Sequence, residues 1–387
     1  MTKIFYWSPY IGKIATVKAV LNSAHSLTKY SKGIIKPYII NSVGEWTKFE
    51  KEIKEKKIDL INFHQDENFY RKLPRYTYLK SRYSYLLIIL KSYTNLYKFL
   101  KTKNESDYFI IHLISSLPLI FLVFFNFRCK FILRISGFPK LNILRKILWK
   151  LAGKKLYKIF SPTQDTKEML INKNIFNIKK INVLKDPIVD IKKINFLKKE
   201  KSSESTEIKN YIINVGRLTK QKNQIFLIEA FAEIKKKIKE TKLVILGEGE
   251  LKEELIKKAA ELNISNDVHL LGYKENVYPF YKNAMCFVLT SKWEDPGFVM
   301  IEAAASRLTI ISSNCNNGPK EFIKDDERGY LYENYSLKSF QETFDRFMQD
   351  SKTNNNNIEK KNLKAFKEAK HYTKFSHYNE IMKCIKN

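Results

Sequence analysis

Short apolar runs alternate with longer amphipathic stretches along the whole chain, the pattern of β–α units laid around a parallel sheet. In the first half, the runs at residues 3–7, 37–40, 108–113, 130–135, 156–160 and 181–184 are predicted strands. The first follows a single lysine, Lys3, and stops at Ser8-Pro9. It is too short for a signal peptide and reads as a first buried strand. A polar, charged segment around Ser202-Ser203-Glu204-Ser205 then interrupts the pattern, which restarts beyond it. Tyr211–Val215, 243–246, Val268–Leu270, Cys286–Leu289 and 309–311 are predicted strands. Gln224–Lys237 is a predicted helix with Ile225, Ile228, Phe231 and Ile234 on one face, and 250–262 is another.

Two successive parallel units predict an α/β protein of two doubly wound, Rossmann-like domains facing a cleft, with ligand sites at the carboxyl ends of the strands. The expected boundaries are 1–193 for the first domain, 194–207 for a linker and 208–368 for the second domain. A C-terminal helix, 369–387, is expected to pack back on the first domain through Phe375, Tyr378 and Ile381.

The length of 387 residues suits two domains, and a hydrophobic fraction of 44% excludes a disordered chain. Cys129, Cys286, Cys315 and Cys384 lie far apart without metal-ligand spacing, so reduced thiols in a cytoplasmic protein are expected. Charge changes the picture more. Residues 1–200 hold 39 Lys and Arg against 14 Asp and Glu, a balance of +25, which leaves +5 of the total +30 for residues 201–387. Between Asn68 and Gln164 the only acids are Glu105 and Asp107. Residues 69–103 combine nine basic residues with seven tyrosines and no acid. Such a field attracts an anionic membrane surface or a nucleic acid, and compositional drift toward lysine is the plain alternative. The apolar run at 118–127 has about half the ~20 residues of a spanning helix and reads as a buried helix of the first domain.

The candidate chemistry lies in the second half. Thr290-Ser291-Lys292-Trp293-Glu294-Asp295-Pro296-Gly297-Phe298 leaves a strand and enters a helix that carries Glu302. Free N–H groups where a helix begins attract phosphate, and carboxylates accept hydrogen bonds from vicinal hydroxyls. Two glutamates eight apart could equally be a cap and a solvated helix residue. They are accompanied, however, by Gly216-Arg217-Leu218-Thr219-Lys220-Gln221-Lys222-Asn223 and by Gly247-Glu248-Gly249, each following a strand. Arg217 and Lys222 can converge on a diphosphate, and the glycines let a ligand pass close to the main chain.

This order of motifs resembles the retaining glycosyltransferases of family four, which have the GT-B fold and an E-x7-E motif, here Glu294 and Glu302. The likeness is specific over residues 210–329. It implies that Arg217 and Lys222 hold the donor diphosphate with backbone near Gly297, Phe298 and Val299. It further implies Glu302 on the ribose, Glu294 at the transferred sugar as the catalytic carboxylate, and residues 271–274, with Tyr273 and Lys274, along the base. No metal or cofactor is expected, and the donor is expected to be UDP- or GDP-linked. Gly12, His112, Arg134, Ser136 and Gly137 are weaker candidates for acceptor or donor-sugar contact, Ser136 standing where many relatives have histidine.

The implied activity is transfer of a sugar, with retention, to a glycan or lipid-linked acceptor in cell-surface polysaccharide assembly. The expected place is the inner face of the membrane, bound peripherally, with no nucleic-acid partner. A nucleic-acid-binding protein using the basic half, a GT-B epimerase and a phosphorylase remain open alternatives.

Overall fold

The computed structural model describes residues 1–12, 15–64, 67–74, 78–139, 141–200 and 203–386. The chain divides into two compact units, one formed by Met1–Ile188 with Lys374–Asn387 and the other by Val189–Thr373.

The first unit is a seven-stranded parallel sheet, β1 (Thr2–Trp7), β2 (Ile35–Asn41), β3 (Asp59–Asn62), β4 (Tyr108–Ile111), β5 (Lys130–Arg134), β6 (Lys158–Ser161) and β7 (Ile181–Val183). Its order is β3-β2-β1-β4-β5-β6-β7. Ile4 pairs with Pro37 on one side and Tyr108 on the other, so the strand order reverses at β1. Crossovers supply α1 (Ala15–Tyr30), α2 (Glu50–Glu55), α3 (Glu67–Lys72), α4 (Tyr78–Lys101), α5 (Ser116–Phe124), α6 (Ile143–Gly153) and α7 (Gln164–Asn172). One face of the sheet buries Ile4, Tyr6 and Ile110 against α1, and the other buries Phe5, Trp7 and Phe109 against α4 and α5. This two-sided burial is why the strands read as near-continuous apolar runs.

The last helix, α17 (Lys374–Lys386), packs on the first unit. Ile381 joins the α1 core, and Phe375 and Tyr378 meet the Tyr30 ring. The apolar run at 118–127 is α5, with Leu117, Leu119, Phe121 and Leu122 buried. No helix among the described residues is long and apolar enough to cross a membrane.

The second unit begins with two short helices, α8 (Ile191–Leu197) and α9 (Ser203–Glu207). They correct the expectation of a plain linker over 194–207. Asp190 caps α8 by accepting from the Lys193 N–H, Ile194 is buried, and Lys198 donates to the Ser306 carbonyl at 2.5 Å, which ties the segment to the second unit. Six parallel strands follow, β8 (Tyr211–Val215), β9 (Lys242–Leu246), β10 (Val268–Leu270), β11 (Cys286–Leu289), β12 (Ile310–Ser313) and β13 (Tyr330–Tyr332). Their order is β10-β9-β8-β11-β12-β13, reversing at β8. The helices are α10 (Gln224–Lys237), α11 (Lys252–Glu261), α12 (Tyr278–Asn283), α13 (Phe298–Ala305), α14 (Pro319–Ile323), α15 (Leu337–Thr353) and α16 (Asn355–Ala369). Both units thus place their reversal beside the central strand, where an open parallel sheet offers a crevice at the carboxyl ends.

Candidate active site

In the second unit the loops leaving β8 and β11, neighbours across the reversal, are joined to each other. Lys222 Nζ lies 2.5 Å from Glu294 Oε1, with both side chains largely buried. Ser291 Oγ donates to the same carboxylate oxygen at 2.6 Å. Thr290 Oγ1 donates to the Lys222 carbonyl at 2.9 Å, the Lys292 N–H to the Gln221 carbonyl at 2.8 Å, and Gln221 Nε2 to the Trp293 carbonyl at 2.9 Å. From the loop after β12, Asn317 Nδ2 donates to the Glu294 carbonyl at 3.3 Å and also to Asp295. Ser313 Oγ secures the Ser291 carbonyl at 2.8 Å. Glu294 is therefore a buried carboxylate held at Oε1 by Lys222 and Ser291 and at its backbone by Asn317, with its position fixed before any ligand arrives.

Gly297 caps α13 in the left-handed region, φ 87°, and a Cβ there would meet Glu294 Cγ at 3.4 Å. The turn that starts the helix is thus packed on the carboxylate; the Met300 N–H turns back to the Gly297 carbonyl at 3.0 Å, and the N–H groups of Phe298 and Val299 precede the first helical bond. Glu302 lies just over one turn into α13. Its charge adds to burial in pushing the Tyr278 and Tyr281 phenols above their usual value, and Tyr281 donates to the Val299 carbonyl at 3.2 Å. Cys315, on the β12 loop near Glu294 and Lys222, is pushed up to about 12, chiefly by burial.

The glycines of the β9 loop make room for neighbouring main chain. A Cβ on Gly247, whose φ is 149°, would lie 1.8 Å from the Gly216 carbonyl oxygen, and one on Gly249 would lie 2.2 Å from that of Leu218. They are small so that the β8 and β9 loops can stack backbone on backbone, with the Leu218 N–H donating to the Glu248 carbonyl at 2.9 Å. Glu248 is exposed. The Gly247 N–H in turn reaches the Gly272 carbonyl at 2.8 Å. Beyond it Tyr273 is exposed, and Lys274 is engaged by Glu204 of α9 at 2.6 Å. Arg217 is exposed, while its carbonyl is fixed by Gln224 Nε2 at 3.0 Å.

The structure therefore brings Lys222, Glu294, Gly297 and the α13 N-terminus together, with Phe298, Val299 and Glu302 on that helix and Arg217 on the adjoining loop. Ser291, Asn317, Ser313 and Gln224 are the supporting residues that the motifs did not single out. Gly318 belongs with them, since a Cβ there would strike the Pro296 carbonyl oxygen at 2.3 Å.

In the first unit the weaker candidates diverge. His112 sits at the end of β4, 1% exposed with neither ring nitrogen partnered, and burial together with Arg134 holds it well below its usual pKa. Arg134 is buried and bound to Asp186 and to the Leu184 carbonyl, which makes it in good part a structural cation, though Nη1 has no partner. Ser136 is exposed beside Gly137. Gly12 is exposed with nothing within 4 Å of a Cβ. The tyrosines of residues 69–103 do not form one interface. Tyr70 is buried against Tyr10, Tyr85 shares a hydrogen bond with Ser116, and Tyr97 packs among Phe121, Phe125 and Phe127, while Tyr83 and Tyr93 are exposed. Arg75 and Tyr76 lie outside the described residues.

Residues 195–364, most of the second unit, match the family described as glycosyl transferases group 1. Over these residues the chain is similar to the glycosyl transferases group 1 family. An uncharacterized glycosyltransferase of Methanocaldococcus jannaschii is 35% identical over 206 residues, 50% of each chain. A Campylobacter jejuni N-acetylgalactosaminyltransferase, named for a diphospho-undecaprenol-linked acceptor, is 32% identical over 59% of this chain and 61% of its own. The matched part thus spans between half and about three-fifths of these two relatives. Among solved structures, a Rickettsia africae glycosyltransferase superposes with a TM-score of 0.76 at 15% identity, covering 100% of this chain and 97% of that one. Anabaena HepE in complex with UDP superposes with a TM-score of 0.75 at 12% identity, over 99% of both. The fold of the chain is GT-B.

Proposed function

We propose that the protein transfers a sugar from a nucleoside-diphosphate sugar to a glycan or lipid-linked acceptor, with retention at the anomeric carbon, in assembly of a cell-surface polysaccharide. One observation carries the reading. At the reversal of the second sheet, a fixed carboxylate, a lysine and a helix N-terminus share one edge, with an exposed arginine on the loop beside them. Arg217 and Lys222 meet the diphosphate of a UDP- or GDP-linked donor, joined by N–H groups at Gly297, Phe298 and Val299. Glu302 accepts from the ribose hydroxyls, and Glu294, steadied by Ser291 and Asn317, accepts from the transferred sugar. As the glycosidic bond breaks, negative charge grows on the leaving diphosphate, and the two cations and the helix-end amides oppose it without a metal or cofactor. Lys222 has three donors and can keep Glu294 while gaining a phosphate oxygen.

The names of relatives support the acceptor class, since the Campylobacter jejuni enzyme is named for a lipid-linked diphosphate. The +25 balance of residues 1–200 supports work at the anionic inner face of a membrane, bound peripherally. Incubation with UDP- and GDP-sugars and a lipid-linked acceptor, followed by NMR of the new bond, tests the proposal. An α-linked product from an α-linked donor, formed equally in a chelator, is expected. A β-linked product overturns retention, dependence on a divalent cation overturns metal-free catalysis, and absence of nucleotide release from every donor overturns the function.

A further inference from the structure

The first unit has an open cavity of about 700 Å³ at the carboxyl ends of β4 and β5. Three arginines line it, Arg82 from α4, Arg134 from β5 and Arg145 from α6, and no carboxylate does so among the described residues. Arg134 is 5% exposed; its Nη2 is taken by Asp186 and the Leu184 carbonyl, while its buried Nη1 has no hydrogen-bond partner. Guanidinium groups stay charged at any working pH, and their planar fork matches phosphate oxygens. Phe138, Leu141 and Trp149 supply apolar wall between them.

The surroundings are as unusual as the charge. On α6, Ile143 and Leu144 are 76% and 78% exposed, with Ile147 and Leu151 continuing the same face at helical spacing. On α4, Leu79, Tyr83, Leu86 and Leu90 form a second exposed stripe on either side of Arg82 in sequence, with Leu79 at 78%. A soluble neutral glycan needs neither the arginines nor the aliphatic stripes. A nucleic acid would use the cations but gains little from leucine and isoleucine, which offer no ring on which to stack. An amphiphile with a phosphoryl group at its head uses both.

We propose that this cavity binds the phosphoryl or diphosphoryl group of an acceptor carried on a long aliphatic chain, and that the chain, in its bilayer, lies along the exposed stripes of α4 and α6. The assignment deepens the acceptor half of the proposed function and rests on that reading for its purpose. The binding itself is measurable without turnover. The full chain is titrated with neutral vesicles containing a few per cent polyprenyl phosphate, with vesicles of equal charge made with phosphatidylglycerol, and with dodecyl phosphate and inorganic pyrophosphate in solution. Vesicles with polyprenyl phosphate should bind at least tenfold tighter than the phosphatidylglycerol vesicles. Arg82→Gln with Arg145→Gln should remove that preference and weaken dodecyl phosphate at least tenfold. Ile143→Asn with Leu144→Asn should weaken vesicle binding severalfold while leaving pyrophosphate unchanged. Each variant is first shown to keep the parent melting temperature and UDP or GDP binding.

Equal binding to the two charged vesicles overturns the site in favour of general adsorption. Tighter binding to a single-stranded oligonucleotide than to any phosphate lipid overturns it in favour of a nucleic acid. Loss of preference in neither variant pair overturns the placement. Lipid-phosphate binding with no nucleotide-sugar binding would leave this site standing and sink the glycosyl-transfer reading instead.

Discussion

The two sheets share one winding, with reversal at β1 in the first and at β8 in the second, yet their carboxyl edges are built on opposite plans. On the second, the buried cation Lys222 faces the buried anion Glu294, and neighbouring hydroxyls and amides complete the set. On the first, Arg82, Arg134 and Arg145 line a cavity without a carboxylate, and His112 is buried unpartnered. The charge balances of +25 for residues 1–200 and +5 for 201–387 repeat the contrast at the scale of the half-chain. An edge whose polar groups are already mutually fixed grips a ligand of defined geometry at small reorganisation cost. An edge whose cavity is lined by arginines and by no carboxylate among the described residues gains most from an anion. On the reading proposed above, the same scaffold separates precise donor chemistry from recognition of a charged acceptor.

Substitutions can break this comparison at its strongest point first. Gly247→Ala puts a methyl 1.8 Å from the Gly216 carbonyl oxygen in a left-handed backbone, so the β8 and β9 loops must separate. Thermal denaturation should show a loss of about 4 kcal/mol or more. Gly12→Ala on the first edge meets nothing within 4 Å and should stay within about 0.5 kcal/mol of the parent. Lys222→Ala leaves Glu294 buried without its cation, at a cost of about 3–5 kcal/mol in stability as well as activity. Glu294→Gln preserves shape and should be far milder to the fold. It should lower kcat by roughly 10²–10³, an amount typical of one fixed polar group at a reacting centre. A Glu294→Gln enzyme with full turnover would show the chemistry to lie elsewhere.

The smallest effect is a pH dependence that belongs to the first unit. His112 and His377 are each 1% exposed, and burial, with Arg134 adding, holds His112 well below 6.5 and His377 down to about 3. Both are neutral when folded. Unfolding returns them to their ordinary value, so below pH 6.5 the unfolded chain takes up protons that the native one refuses. Stability present above that pH is lost as pH falls, for His377 down to about 3. His377 contributes about 2 kcal/mol of loss between pH 7 and pH 5, and His112 acts in the same direction. Denaturant titrations at the two pH values measure it, and His377→Gln should flatten the slope by one histidine's share.

The sequence was most legible where burial is two-sided. β8 and β11 coincide with their apolar runs, and α10 spans the predicted residues. The strands that went unread are β3 and β13, at the sheet edges, where Asp59 and Asn62 flank only two apolar residues and Tyr330–Tyr332 is three residues long. The final helix was read across a break, because Lys370–Tyr372 forms a 3₁₀ turn between α16 and α17 without any glycine or proline to mark it. Glu294, Lys222 and Gly297 were found as motif residues, but their mutual contact was not, since 72 positions separate the lysine from the carboxylate. Asn317 and Gly318 carried no signal of their own. Their role is to clasp a loop 22 residues upstream, which only the sheet order reveals. The exposed stripes of α4 and α6 were equally hidden, because an apolar helix face reads as core until the packing shows it bare.

Titration of the full chain with UDP and with GDP, in the parent and in Arg217→Ala and Glu302→Ala, tests the central claim most directly, namely that the β8 and β11 loops hold a nucleoside diphosphate. One of the two nucleotides should bind the parent with a Kd on the order of 1 μM to 1 mM, as enzymes hold their substrates. Each substitution should weaken it at least tenfold, about 1.4 kcal/mol. Binding of neither nucleotide, or equal affinity in all three proteins, would contradict the account.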